Sequence, residues 1–256
     1  MTSKDRTRSH RLLILALVSA VSIPLFLAFV LLDPPRTWDS APTVIVDDGG
    51  LATVIDADGG VSATVGAITS NQAWNGAGSG TVINAQAGSV ASFTLGDGQP
   101  MINFQDPLHA CTGNCLAATF TGFFSERSDG TFRIDDADIV TNTKRIDWTS
   151  ESEDPNGAGC NNEFYIEGVM VHEVGHVLGL GHTDVQGATM FPSVSSCNNG
   201  PATTEQDDED GLNALYSGGG PTPPPPSCLD PGETCRRNQD CCSGSCSGRG
   251  GNKTCA

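Results

Sequence analysis

The segment His172-Glu173-Val174-Gly175-His176-Val177-Leu178-Gly179-Leu180-Gly181-His182 constrains this chain more than any other. On an α-helix residues four apart share a face, so His172 and His176 can present two imidazoles to one point. His182 follows His172 by ten residues, and a continuing helix would carry it about 15 Å along the axis, out of reach. The chain must therefore turn back, and Gly179 tolerates the positive φ of a helix C-cap. Three neutral imidazoles then converge as zinc ligands and leave one tetrahedral position open, which suits a catalytic rather than a structural metal.

Glu173 follows the first ligand and stays within a turn of the metal. A carboxylate there can act as general base, taking a proton from a zinc-activated water and returning it to a leaving amine. These are the functions that peptide-bond hydrolysis needs together, so polypeptides are the expected substrates. A bare pair of histidines with an intervening glutamate occurs by accident; the added glycine and third histidine at fixed spacing make the pattern specific.

The segment from His172 to His182 resembles the metzincin motif, and Ala188-Thr189-Met190-Phe191-Pro192 resembles the Met-turn of that group, with Met190 as its methionine. Within metzincins the chain is most similar to matrixins, particularly bacterial ones, although Thr183 stands where matrixins usually have Ser. Asp135–Val140 resembles the strand before the active helix, and Glu205–Tyr216 resembles the closing helix. The resemblance spans about residues 43–216. It implies an α+β zincin fold with a twisted, mostly parallel five-stranded sheet and an active-site helix beneath the cleft. It also implies a substrate lying along the edge strand and a specificity pocket walled partly by residues 191–194. Met190 would form an apolar base under the zinc without ligating it. No Tyr lies two residues after Met190, so the tyrosine ligand of astacins and serralysins is absent. The only other histidines are His10 and His109, which argues against a second, structural zinc, and His109 reads as an ordinary loop residue. Residues 33–43 contain no Cys, so a cysteine-switch propeptide of the animal type is not expected.

Charge and cysteine usage set the compartment. Lys4, Arg6, Arg8 and Arg11 precede an uncharged run from Leu12 to Leu32, the pattern of an export signal. The run is also long enough to span a bilayer, so a cleaved signal and a retained membrane anchor both stand for residues 1–32. Beyond it the chain carries 9 Lys/Arg against 29 Asp/Glu, and so acidic a surface repels phosphate backbones, excluding nucleic acid as a partner. Ten cysteines, an even number, read as disulfides of an exported protein. Calcium is a further candidate cofactor at Asp56–Asp58 or Asp135–Asp138, because carboxylate oxygens suit that ion, although neither segment fits the full EF-hand pattern and exposed loops or sheet edges also account for them.

Residues 33–42 read as a linker and 43–216 as the peptidase domain. Strands are expected at Thr43–Val46, Ala52–Ile55, Thr81–Asn84, Val90–Leu95, Met101–Phe104, Ala117–Phe124 and Ala137–Asn142. Helices are expected over 61–75, Phe164–Leu180 and Thr204–Tyr216, with Thr204 as the N-cap of the last. Cys111–Cys115 and Cys160–Cys197 are the expected disulfides of this domain.

Residues 217–227 are rich in Gly and Pro and form a spacer to a small module, 228–256, that carries six cysteines. So short a module needs crosslinks to fold. Six cysteines allow 15 pairings. The adjacent pair Cys241-Cys242 resembles the knottin pattern, which implies Cys228–Cys242, Cys235–Cys246 and Cys241–Cys255. The tail can be a protease-resistant cap, a module that binds a surface or partner, or an inhibitor of its own catalytic domain. A non-enzymatic surface-binding protein is the rival to the peptidase, but the intact Glu173 argues against it.

Overall fold

A computed structural model describes residues 29–48, 60–78, 83–90, 92–128, 132–142, 145–151, 159–216, 246–249 and 252–255. The expected strand at 52–55 and most of the apolar run 12–32 lie outside these residues. So do the Gly/Pro spacer and most of the cysteine-rich tail. Among the described residues no helix is long and apolar enough to cross a membrane.

The frame is one mixed sheet with helices packed on it. Strand β1 covers Arg36–Thr37, β2 Thr43–Asp47, β3 Asn84–Gly88, β4 Met101–Asn103, β5 Ala117–Glu126 and β6 Phe132–Thr141. The order is β1-β6-β4-β2-β3, parallel throughout, with β5 added antiparallel along β6. The sheet is thus mostly parallel, as expected, but has six strands instead of five. The extra one is β1, which comes from the stretch read as a linker and pairs Arg36 and Thr37 with Phe132 and Arg133. β5 carries the register shifts of a bulged strand between Gly122 and Ser125.

Two other expectations moved. Residues 92–95 form no strand; the ladder beside β2 instead uses Asn84–Gly88, a segment with few apolar side chains. Here main-chain pairing with β2 outweighs side-chain preference. The first helix, α1, runs only Val61–Thr69. Ser70 leaves helical geometry at φ −62°, ψ 136°, and its hydroxyl accepts from Gln72 N at 3.0 Å. The chain then makes a short 3₁₀ turn, Trp74–Gly76.

The central helix, α2, covers Ile166–Val177. It is preceded by β7 (Trp148–Thr149) and β8 (Phe164–Tyr165), which pair with each other in parallel. Val169, Met170, Val171, Val174 and Val177 are buried against Ile102, Ile134 and Ile139 of the sheet and Ile68 of α1. Each such side chain contributes about 1.5–3 kcal/mol of burial free energy. The last helix, α3, is Gln206–Tyr216, with Asp207, Asp208 and Glu209 in its first turn, where acids suit the helix dipole. It starts later than expected, and Thr204 gives its hydroxyl to Glu209 Oε1 at 3.4 Å. Both expected disulfides of the domain are present, Cys111–Cys115 and Cys160–Cys197. In the tail, β9 (Cys246–Arg249) and β10 (Asn252–Cys255) form an antiparallel pair with Cys246 opposite Cys255.

Candidate metal centre

Helix α2 ends abruptly. Leu180 N bonds Gly175 O at 2.9 Å and Gly179 N bonds His176 O at 3.0 Å, with Gly179 at φ +102°. This crossed pair is a Schellman motif, and the positive φ makes glycine the fitting residue. A Cβ at Gly179 would also strike the carbonyl of Arg36 in β1. The next two carbonyls of the helix end are satisfied from elsewhere: Trp38 Nε1 donates to Val177 O at 2.8 Å and Tyr216 Oη to Leu178 O at 2.9 Å. The turn-back loop is then held by residues 30–32. Gly181 N bonds Val30 O at 2.8 Å, Leu32 N bonds Gly179 O at 3.0 Å, and Leu31 bridges to Leu180.

That loop brings His182 back over the helix. Its Nε2 stands 3.2 Å from His172 Nε2 and 3.1 Å from His176 Nε2. Among the described residues this trio is the only group of three or more His, Cys, Asp or Glu side chains placed to hold a metal. Two of the other ring nitrogens are tied down: His172 Nδ1 donates to Thr189 O at 2.6 Å and His176 Nδ1 to Leu180 O at 2.8 Å. With the proton on Nδ1, the Nε2 of each of these two rings points a lone pair at the common centre. Burial pushes the pKa of His172 and of His176 down to about 4, and also lowers that of His182, which favours the neutral imidazole form a metal ligand needs. Tetrahedral zinc with bonds of about 2.0–2.1 Å places ligand nitrogens about 3.3 Å apart, so the trio fits that ion.

Glu173, the predicted base, lies beside the trio under β5. Burial raises the pKa of its carboxyl, opposed by the neighbouring His176 and by the hydroxyl of Thr119, whose Oγ1 is 2.5 Å from Glu173 Oε2. His109 sits in the loop after β4 at φ +52°, outside the trio. Asp136 and Asp138 are buried in β6, each with one carboxylate oxygen lacking a partner.

Met190 is buried, with its sulfur packed towards Gly175 of α2 beside the indole of Trp74. Trp74 Nε1 donates to Val171 O at 2.7 Å, one residue before His172. The main chain at Met190 is held by Asp208 of α3, whose carboxylate accepts from Thr189 N at 2.8 Å and from Met190 N at 2.9 Å. Sequence reasoning missed Thr119, Trp74 and Asp208 as parts of the site. Thr119 and Trp74 belong to no local pattern, and Asp208 is one of three acids in its helix's first turn, with nothing local to set it apart.

Residues 93–217 match the matrixin family model. Over 78 residues the chain is 40% identical to Metalloendoproteinase 5-MMP of Arabidopsis thaliana, covering 28% of this chain and 21% of that protein. It is 41% identical over 76 residues to Matrix metalloproteinase-27 of Tupaia belangeri, 30% of this chain and 15% of that protein. With Interstitial collagenase of Bos taurus it shares 31% identity over 150 residues, 59% of this chain and 26% of that protein. The chain spans between about a seventh and a quarter of the length of these relatives.

Proposed function

Proceeding from the support these likenesses lend to a place in the metzincin/matrixin family, we propose that this chain is a zinc-dependent metalloendopeptidase. His172, His176 and His182 hold the ion and Glu173 is the general base. One observation carries the reading: His172 and His176, two imidazoles anchored through Nδ1, bring their Nε2 atoms within 3.2 Å of His182 Nε2, beside a buried glutamate. Zinc bound there supplies a Lewis acid that polarises a peptide carbonyl and acidifies water. Glu173 accepts the proton lost by the attacking water at its carboxylate and delivers it to the leaving amine. The carbonyls of Thr189 and Leu180 hold two of the rings in the ligating tautomer. Strand β5, the antiparallel edge strand, offers the main-chain groups along which an extended polypeptide would lie.

The setting we propose is extracytoplasmic, supported by the basic start and apolar run of residues 1–32 and by two disulfides in the catalytic domain. Residues 12–32 either are removed as a signal or anchor the protein, and the knottin-like module of 228–256 binds a surface or partner. Calcium belongs to the same proposal, supported by the buried carboxylate oxygens of Asp136 and Asp138.

The test is cleavage of casein by purified, zinc-loaded protein, with a chelator control and the variant Glu173→Ala. The expected result is chelator-sensitive cleavage that falls at least about a hundredfold in Glu173→Ala while elemental analysis still finds one zinc per chain. A Glu173→Ala protein that cuts as fast as the parent removes the mechanism.

A further inference from the structure

Glu173 is 6% exposed, and among the described residues a single hydrogen bond reaches its carboxylate, from Thr119. The hydroxyl lies 2.5 Å from Oε2 and 3.2 Å from the main-chain oxygen of the same glutamate. Strand register explains why Thr119 can do this. It stands directly opposite Ile139 of β6, and opposed residues of an antiparallel pair project to the same face. Ile139 is fully buried in the core with Val174 and Val177 of α2, so Thr119 also projects onto that helix.

A glutamate side chain has three rotatable bonds, and a base must present its oxygen at a set position and angle. A hydroxyl bonded to a carboxylate is among the stronger and shorter hydrogen bonds. We propose that Thr119 is a positioning residue for the proposed peptidase reaction: by holding Glu173 Oε2 from the edge strand, it fixes the plane of the carboxylate and keeps Oε1 as the proton acceptor. This inference rests on the reading of Glu173 as general base. It also couples the strand proposed to receive substrate to the group that moves the proton, because the residue that orients the base belongs to that strand.

The experiment uses the full zinc-loaded chain and one quenched-fluorescence peptide, built on a casein sequence that the parent cuts. The variants are Thr119→Val, Thr119→Ala, Thr119→Ser, Glu173→Gln and the double variant Thr119→Val/Glu173→Gln. Thr119→Val is expected to lower kcat about tenfold, the scale of one hydrogen bond to a charged group, with KM within about twofold and zinc content unchanged. Thr119→Ser is expected to return kcat to within about threefold of the parent, because it restores the hydroxyl. In the Glu173→Gln background, adding Thr119→Val is expected to cost little further, since the two residues act as one unit. Should Thr119→Val misfold, Thr119→Ala against Thr119→Ser carries the same comparison. A parental kcat in Thr119→Val, a loss confined to KM, or a Thr119→Ser protein as slow as Thr119→Val overturns the positioning role. A Glu173→Gln enzyme with parental kcat overturns instead the reading of Glu173 on which it rests.

Discussion

The carboxylate of Asp208, at the start of α3, grips the main chain of Met190, whose sulfur packs towards Gly175 of α2. Its Oδ1 accepts from Met190 N at 2.9 Å and its Oδ2 from Thr189 N at 2.8 Å and Glu205 N at 2.9 Å. The carbonyl of the same Thr189 holds His172 Nδ1, so a helix some thirty residues further along the chain sets the first proposed ligand through two hydrogen bonds.

Removing that grip strands three main-chain N–H groups. Asp208→Ala is expected to lower stability by about 2–4 kcal/mol, since Asp208 is only 1% exposed and an unsatisfied buried donor costs about 1–3 kcal/mol. Asp208→Asn keeps one acceptor oxygen and should fall between the two. Urea denaturation of the zinc-loaded proteins reads both values. An Asp208→Ala protein as stable as the parent shows that the main chain at Met190 finds other partners.

At Gly175 two effects of opposite sign compete. Alanine is better than glycine inside a helix by about 1 kcal/mol. A Cβ there, however, would meet the thioether of Met190 and lie 2.7 Å from Trp74 Cζ2. Met190 can swing aside, but Trp74 is pinned by its bond to Val171 O. Overpacking of this kind costs about 1–3 kcal/mol, so Gly175→Ala should be net destabilising and should weaken zinc binding. Thermal melts and competitive zinc titration check both; a rise in Tm would mean that the indole yields.

The pH response should carry the mark of Asp138. Burial, reinforced by Asp136, pushes its pKa up to about 8, so the folded protein keeps a proton that the unfolded chain releases near pH 4. Stability from this group is complete at low pH, declines as pH rises towards 8, and is flat above that. In chelated buffer Tm should fall from pH 5 to pH 8 less steeply in Asp138→Asn than in the parent. Added calcium should raise the parent's Tm most at pH 8, where the ion can replace the proton. Scanning calorimetry of both proteins decides it, and parallel curves would remove Asp138 as the cause.

The site was legible where its parts are close along the chain. The spacing of His172, Glu173, His176 and His182, and the need for a turn at Gly179, follow from helix geometry alone. The strands Thr43–Asp47, Met101–Asn103 and Ala117–Glu126 were legible because their apolar runs are bounded by turn residues. Periodicity alone overextends the first helix, because Gln72 continues the spacing of Val61, Val65 and Ile68 while the helix ends at Thr69. Nothing local announces that Trp74 must turn inward to reach Val171 O instead.

The chain's sequence by itself determined which imidazoles could meet and where the helix carrying two of them had to stop, because both depend on positions a few residues apart. Only the tertiary structure decided that Thr119 holds Glu173, that Asp208 holds Met190, and that residues 30–32 and Trp38 support the loop leading to His182. Those partners lie from 18 to well over a hundred residues apart, where no periodicity survives. Their juxtaposition follows from how the sheet stacks its strands against α2 and from the need of every buried polar group for a partner.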